Sequence, residues 1–154
     1  MDTIGFIGVG KIGLPICEHL IKGGYRVLGY RRGSLADFEK LGGVAAKSPA
    51  EIGAQTDVVF TCLPSDAALE EVVSGPNGLV HSARAGQIVV ELGSHSIPVK
   101  EKYVAPLAAK GAIYVAGDQA AAQKIEPVVK SFTDLYLYLG TFGSATSFLV
   151  NEQV

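Results

Sequence analysis

The chain has 154 residues, of which 48% are hydrophobic and 18% charged, and its net charge is −2. This length predicts one domain that buries roughly two thirds of its unfolded surface. The small negative charge, without a basic run, argues against nucleic acid as a partner, and no apolar run approaches the ~18 residues of a membrane span. With no signal-peptide pattern at the start, we expect a cytoplasmic protein. Cys17 and Cys62 lack metal-ligand spacing, so we predict no metal site and two small buried thiols.

The chain opens with a strand, a glycine-rich turn and the start of a helix. An apolar run, 4–7, precedes Gly8, Gly10 and Gly13 in a Gly-x-Gly-x-x-Gly spacing. The first glycine permits a tight turn, the second lets the backbone approach a pyrophosphate, and the third lets the helix pack against the strand. Free N–H groups and the helix dipole favour phosphate there. The alternative is a merely structural turn. The predicted cofactor-binding residues of this segment are Gly8, Val9, Gly10, Lys11, Ile12 and Gly13.

Two arginines follow the predicted second strand, 26–30. A domain that prefers NAD usually has Asp or Glu there, which binds the ribose 2′-hydroxyl. A carboxylate would repel a 2′-phosphate, whereas a guanidinium offers a planar fork of donors that matches phosphate oxygens. The alternative is a solvated basic turn. We predict that the cofactor is NADP (NADPH), bound in part by Tyr30, Arg31 and Arg32.

Apolar strand-like runs alternate with helical patterns along the rest of the chain, as in βαβ units. Ser34 and Ser48 are expected to cap helices, the second in a capping box with Pro49 at the first helical position. Ser65 and Ser96 are expected to do the same. The fold class is therefore α/β: a Rossmann-type, doubly wound, mostly parallel sheet with helices on both faces. The further predicted strands are 57–63, 87–92, 112–115 and 135–139, and the predicted helices include 34–41, 66–73, 98–110 and 119–132.

Taken in this order, the segments resemble the cofactor domain of the β-hydroxyacid dehydrogenases, which include 3-hydroxyisobutyrate and 6-phosphogluconate dehydrogenases. The residues that carry the resemblance are 5–13 with Pro15, the turn 30–32, Leu63-Pro64-Ser65, and 77–79. The resemblance runs from about residue 3 to residue 111 and, more loosely, from 117 to 151. It implies that 63–65 lie along the cofactor and that Arg32 points at the 2′-phosphate. Such enzymes act on a small-molecule substrate.

The substrate side departs from the family pattern. Gly93 stands where the family has the first hydroxyl residue of an Asp-x-Ser-Thr segment, which leaves Ser94 as the expected donor to a substrate carboxylate. A glycine-rich Ser-Gly-Gly loop is missing near Ala116, and Phe148 or Leu149 takes the position of the catalytic lysine. We therefore expect a dinucleotide-binding domain over 1–143 and the start of an interdomain-type helix over 144–154, with the C-terminal substrate domain absent.

His95 is the other weak candidate for catalysis, because it follows a strand near its carboxyl end and an imidazole changes protonation near neutral pH. The structural alternative for His95 is a surface residue or a local cap. Glu91 could serve as a carboxylate near the nicotinamide, but we interpret it as a solvated strand terminus.

The sequence keeps three functions open. The first is an NADP-dependent oxidoreductase that transfers hydride to or from a small hydroxyacid or carbonyl compound, with an imine reductase-like enzyme as a variant. The second is a non-catalytic NADP-binding module, and the third is a degenerate chain that folds poorly. The apolar residues Phe148, Leu149 and Val150 would be exposed on the tail helix, which predicts a homodimer through that helix.

Overall fold

The structure, a computed structural model, describes residues 3–93, 95–115 and 126–128. Within these ranges the strands are β1 (Thr3–Ile7), β2 (Arg26–Tyr30), β3 (Val44–Ala45), β4 (Val58–Thr61), β5 (Ile88–Glu91) and β6 (Ile113–Val115). They form one sheet in the order β3-β2-β1-β4-β5-β6, and every described pairing is parallel. The predicted doubly wound α/β class is confirmed. The two-residue strand β3 was not predicted from the sequence.

Helices cover both faces of this sheet. They are α1 (Gly13–Lys22), α2 (Ala36–Lys40), α3 (Pro49–Gln55), α4 (Asp66–Ser74), α5 (Ile97–Glu101) and α6 (Val104–Ala108), with a 3-10 helix at Leu79–His81. Successive residues of a strand point to opposite faces. In β4, Val58 and Phe60 accordingly join one apolar cluster with α1, while Val59 joins a second cluster with α3, α4 and α6. The central strands β1, β4 and β5 are therefore buried on both sides, which explains their almost uninterrupted apolar sequences.

Two of the predicted helix caps form as expected. The Ser48 hydroxyl accepts a hydrogen bond of 3.1 Å from the Glu51 N–H, and the Ser65 hydroxyl accepts one of 3.1 Å from the Ala68 N–H. The helix expected from Ser34 begins two residues later, with Leu35 as its N-cap, but the Ser34 hydroxyl still accepts a hydrogen bond of 3.2 Å from the N–H of Ala36, the first residue of α2. Ser96 is the N-cap residue of α5, but its side chain makes no capping hydrogen bond.

The single helix predicted over 98–110 was wrong: the segment forms two short helices, α5 and α6. Pro106 is the third residue of α6, and it has no N–H to donate to the carbonyl of Lys102, four residues earlier. Its ring also clashes with that carbonyl in a continuous helix. The helix is therefore interrupted between α5 and α6, where the Tyr103 N–H donates a hydrogen bond to the Lys100 carbonyl, three residues earlier.

Several predictions fall on residues outside the described ranges. They concern Ser94, the strand 135–139, the tail 144–154 with Phe148 and Leu149, and most of the helix 119–132. Of that last segment, 126–128 is described and is helical, and Val128 is buried in the first apolar cluster. Among the described residues, no helix is long and apolar enough to cross a membrane.

Candidate functional site

A cleft lies at the carboxyl ends of the central strands. From β1 the chain moves to β2 and β3 on one side and later returns to β4 and β5 on the other, so the order reverses between β1 and β4. In open α/β sheets, ligands bind in the crevice at such a point. Two cavities occupy it: a first of about 410 Å³ on the β2 side, and a second of about 450 Å³ on the β5 side. They share one wall, formed by Gly8, Leu63, Pro64 and Ser65.

The glycine turn after β1 forms the floor of the cleft. Gly8 has a φ of 103°, and a Cβ there would lie 2.0 Å from the carbonyl oxygen of Cys62. A Cβ on Gly13 would lie 2.3 Å from the Gly8 carbonyl oxygen, so this glycine lets α1 pack closely against β1. A Cβ on Gly10 would meet nothing within 4 Å. The first and third glycines are therefore required by the protein's own packing, whereas the second is open to the cleft.

The N-terminus of α1 has no side-chain cap. Ile12 is the N-cap residue and makes no capping hydrogen bond, and the first turn contains no acidic residue. Lys11, Ile12 and Gly13 line the second cavity. The positive end of the helix dipole and a lysine therefore face this cavity together, which favours an anion there.

Arg31 binds the protein itself. Its Nε donates to the Ser34 carbonyl at 2.7 Å, its Nη1 to the Val9 carbonyl at 2.5 Å, and its Nη2 to Oδ1 of Asp37 at 2.7 Å. The guanidinium thus joins the glycine turn to the start of α2, and it is only 26% exposed. Arg31 lines the first cavity, but protein oxygens engage its donors.

Arg32 has a different environment. Its side chain is 77% exposed and pairs with Oε2 of Glu71 on α4. Arg32, Glu71 and Tyr30 all line the first cavity, and Lys47, from the loop after β3, lines it as well. Neither Lys47 nor Glu71 was predicted, because neither belongs to a recognisable motif and both reach the cavity only through the fold.

The predicted Leu-Pro-Ser segment forms the wall between the cavities. Leu63 is half-buried and lies against the glycine turn, since a Cβ on Gly8 would be 3.3 Å from its Cδ2. Pro64 and Ser65 are exposed. The structure therefore brings residues 63–65, 30–32, Gly8 and 10–13 together in one cleft, whereas the side chain of Val9 is buried in the first apolar cluster.

A buried polar cluster lies beside the second cavity. Glu91, at the end of β5, is fully buried, which corrects its interpretation as a solvated terminus. The Thr61 hydroxyl donates to its Oε2, and the Gly93 N–H donates to its Oε1 at 2.5 Å. Burial raises the pKa of Glu91, although these hydrogen bonds and the charges of His95 and Lys100 oppose the rise.

His95 links this cluster to solvent. Its side chain is 4% exposed, which contradicts the alternative of a surface residue. Nδ1 lies 2.8 Å from Oδ1 of the exposed Asp66, and Nε2 lies 3.8 Å from Oε1 of Glu91. A Cβ on Gly93 would lie 2.8 Å from Nε2. The glycine that replaces a family hydroxyl residue therefore makes room for this ring, which lines the second cavity.

Lys100 completes the cluster and was missed by the sequence analysis. It is buried on α5, and its Nζ donates to the Gly93 carbonyl at 2.9 Å. Burial lowers the pKa of Lys100, and the Glu91 carboxylate partly offsets this. A lysine in an ordinary helical pattern gives no sign of burial, so no local signal pointed to it.

The two cysteines serve packing. Burial raises the pKa of the Cys17 thiol to about 12, and burial with the nearby Glu91 raises that of Cys62 to about 11. Cys17 is buried as predicted, whereas Cys62 is half-buried in the wall of the second cavity. Both thiols are protonated at neutral pH, and so neither is an activated nucleophile.

The chain is similar to known proteins in family, sequence and fold. The model of the NAD-binding domain of 6-phosphogluconate dehydrogenase matches residues 3–116. An uncharacterized oxidoreductase of Shewanella frigidimarina is 34% identical over 94% of this chain and 57% of its own length. The mouse mitochondrial 3-hydroxyisobutyrate dehydrogenase is 30% identical over 73% of this chain and 34% of its own.

Among solved structures, Psf3 in complex with NADP+ and 2-OPP superposes with a TM-score of 0.86 at 24% identity, over 94% of this chain and 59% of that one. This similarity concerns the fold. The chain thus spans little more than half the length of the proteins that it matches over almost all of its own residues.

Proposed function

The chain belongs to the family of the NAD-binding domain of 6-phosphogluconate dehydrogenase, and from that membership we propose an NADP-dependent oxidoreductase of the β-hydroxyacid dehydrogenase type. The observation that carries the proposal is the cleft at the switch point, where an uncapped helix N-terminus and an exposed arginine line adjoining cavities. The sequence match supports a nicotinamide dinucleotide, and the basic lining of the first cavity supports NADP over NAD.

The residues present fit such a cofactor along the whole cleft. The backbone around Gly10 would hold the pyrophosphate, since its open side leaves room for close approach. The adenosine end would lie in the first cavity with the 2′-phosphate at Arg32, and the nicotinamide end in the second, beside Leu92 and His95. The cofactor, when bound, supplies or accepts the hydride.

We assign the proton chemistry to the cluster around His95. A carbonyl that accepts hydride also needs a proton, and a hydroxyl that loses hydride must give one up. The imidazole lies between the exposed Asp66, which is within hydrogen-bond distance of Nδ1, and the buried Glu91, which is 3.8 Å from Nε2, so it can pass a proton between solvent and the interior beside the second cavity. Ser94, outside the described ranges, remains our proposed donor to a carboxylate of the small-molecule substrate.

The first experiment is calorimetric titration of the purified chain with NADPH and with NADH. Tight binding of NADPH and weak binding of NADH is expected, because only NADPH carries the 2′-phosphate that Arg32 would contact. Failure to bind either cofactor would refute the cofactor site, and equal affinity would refute the NADP preference.

A turnover assay then separates enzyme from binding module. We expect NADPH consumption with a member of a panel of small aldehydes, keto acids and imines, reduced by Ser94→Ala and by His95→Gln. The second candidate, a non-catalytic NADP-binding module, is favoured by Phe148 or Leu149 at the family's lysine position. It predicts binding without turnover across the panel, whereas turnover with imines alone would indicate the imine reductase-like variant.

The proposal also covers the oligomeric state of the protein and its location in the cell. We propose a cytoplasmic homodimer, joined through the apolar tail 144–154, whose apolar residues would be buried against a second copy. Sedimentation velocity of the full chain is expected to show a dimer. A monomer at all concentrations, with its tail protected from protease, would contradict this arrangement.

A further inference from the structure

An ion pair spans the first cavity. The guanidinium of Arg32, after β2, contacts Oε2 of Glu71, which lies 39 residues further along the chain on α4. Both side chains line the cavity, and they are 77% and 53% exposed, so a ligand can reach either one. The arginine expected to meet a 2′-phosphate therefore already holds a carboxylate.

The neighbouring arginine does not offer a substitute. Arg31 is bound by Ser34, Val9 and Asp37, and freeing its guanidinium would loosen the glycine turn. Lys47 adds a positive charge to the cavity lining, but as a single flexible ammonium rather than a planar fork. A phosphate entering this cavity must accordingly compete with Glu71 for Arg32.

We propose that Glu71 sets how strongly this site prefers a phosphorylated over an unphosphorylated adenosine ribose. Its carboxylate occupies Arg32 in the free protein and repels a 2′-phosphate dianion that approaches the same guanidinium. A ribose with a 2′-hydroxyl meets neither obstacle. Glu71 thus weakens the preference for NADP(H) that Arg32 creates. This inference rests on the proposed function, because it concerns the same cofactor site.

The size of the effect follows from the exposure of the pair. Exposed ion pairs contribute little in water, and repulsion between exposed charges is screened by solvent. The two effects act in the same direction, since both disfavour the phosphate. Removing the charge of Glu71 is therefore expected to strengthen binding of a 2′-phosphate by about threefold to tenfold.

Calorimetric titration with two nucleotides tests this. Adenosine 2′,5′-bisphosphate and 5′-AMP differ only in the 2′-phosphate, and both are measured at one low ionic strength so that screening is constant. In Glu71→Gln, affinity for the bisphosphate is expected to rise threefold to tenfold while affinity for 5′-AMP stays unchanged. Glu70→Gln is the matched control: it removes the same charge from the adjacent, exposed position of α4.

The same substitution in an Arg32→Gln background identifies the mechanism. If competition for the guanidinium matters, the gain from Glu71→Gln falls when Arg32 is absent. No gain, or an equal gain in Glu70→Gln, would overturn the inference while leaving the cofactor site intact, whereas a full gain without Arg32 would support it with repulsion alone as the mechanism and overturn competition for the guanidinium. If wild type binds neither nucleotide, the proposed function itself fails and the role of Glu71 with it.

Discussion

The Nη1 atom of Arg31 donates a 2.5 Å hydrogen bond to the carbonyl oxygen of Val9, which ties the basic turn after β2 to the glycine turn after β1. The Gly8 N–H donates in turn to the Tyr30 carbonyl at 2.9 Å. The two turns that would hold the two halves of a dinucleotide are therefore fastened to each other. The two arginines therefore have different roles. Arg31 holds the two turns together, whereas Arg32 is exposed to a ligand in the cleft.

Arg31→Ala is expected to weaken NADPH and NADH binding by the same factor, because it loosens the glycine turn that both cofactors use. The loss of its hydrogen bonds is also expected to lower the free energy of unfolding by ~1 kcal/mol. Calorimetric titration and thermal denaturation measure the two effects. Arg26→Ala, at the opposite end of β2, is the control. A selective loss of NADPH alone would mean that Arg31 binds the phosphate directly.

Arg32→Ala is expected to reduce NADPH affinity several-fold or more and to leave NADH affinity nearly unchanged. Its guanidinium is exposed in the first cavity and forms its ion pair with another exposed side chain, so the fold loses little. The ratio of the two dissociation constants is the measurement. An equal loss for both cofactors would show that the arginine is not at the 2′-phosphate.

Gly10→Ala and Gly13→Ala form a pair that separates binding from folding. A Cβ at Gly10 would have no neighbour within 4 Å among the described residues, so stability is expected to stay within ~0.5 kcal/mol of wild type while cofactor binding falls more than about tenfold. A Cβ at Gly13 would lie 2.3 Å from the Gly8 carbonyl oxygen and 2.7 Å from Phe6 Cε1. Such overpacking is expected to cost ~1–3 kcal/mol of stability.

Denaturant unfolding measures the stability of the two variants, and calorimetric titration measures their cofactor affinity. Undiminished binding in Gly10→Ala would place the pyrophosphate elsewhere. A Gly13→Ala protein as stable as wild type would contradict the close contact between α1 and β1.

Glu91→Gln is expected to destabilise the protein by ~1–3 kcal/mol at neutral pH, because it removes an acceptor from the buried cluster and the counter-charge of Lys100. The pKa of Glu91 is raised above its ordinary value of 4.5 in the folded state. Its contribution to the free energy of unfolding is therefore full below pH 4.5, and it declines as the pH rises through the raised pKa of the folded state.

The stability difference between wild type and Glu91→Gln is accordingly expected to shrink as pH rises. The loss of Glu91 lowers the pKa of Lys100 further, which acts in the same direction, since the variant then binds fewer protons when folded. Urea unfolding at a series of pH values from acid to mildly alkaline measures the difference, with Glu101→Gln as an exposed control. A difference that grows with pH would contradict the raised pKa of Glu91.

The local parts of the fold were predictable from the sequence. The bounds of β2 and the caps at Ser48 and Ser65 depend on residues within a few positions of one another, and these predictions are confirmed. The break between α5 and α6 was missed because the helical pattern continues through Pro106, and the clash with the Lys102 carbonyl outweighs it.

The partners of polar side chains were not predictable in the same way. Glu71 meets Arg32 across 39 residues, and His95 meets Asp66 across 29. Sequence alone places each at a strand end or on a helix but does not say which side chains share a cavity. Burial of Glu91 and Lys100 likewise results from contacts formed in the folded protein, through the Thr61 hydroxyl of β4 and the Gly93 carbonyl after β5.

Ser65 connects the start of a helix with the surface of the cleft. Its oxygen accepts the Ala68 N–H, and a hydroxyl that accepts through a lone pair still carries its own hydrogen for donation. The same oxygen therefore caps α4 while its hydrogen remains available to a ligand in the cleft, since Ser65 lines both cavities. A substitution of Ser65 therefore changes the start of α4 and the wall between the two cavities together, because one side chain forms part of both.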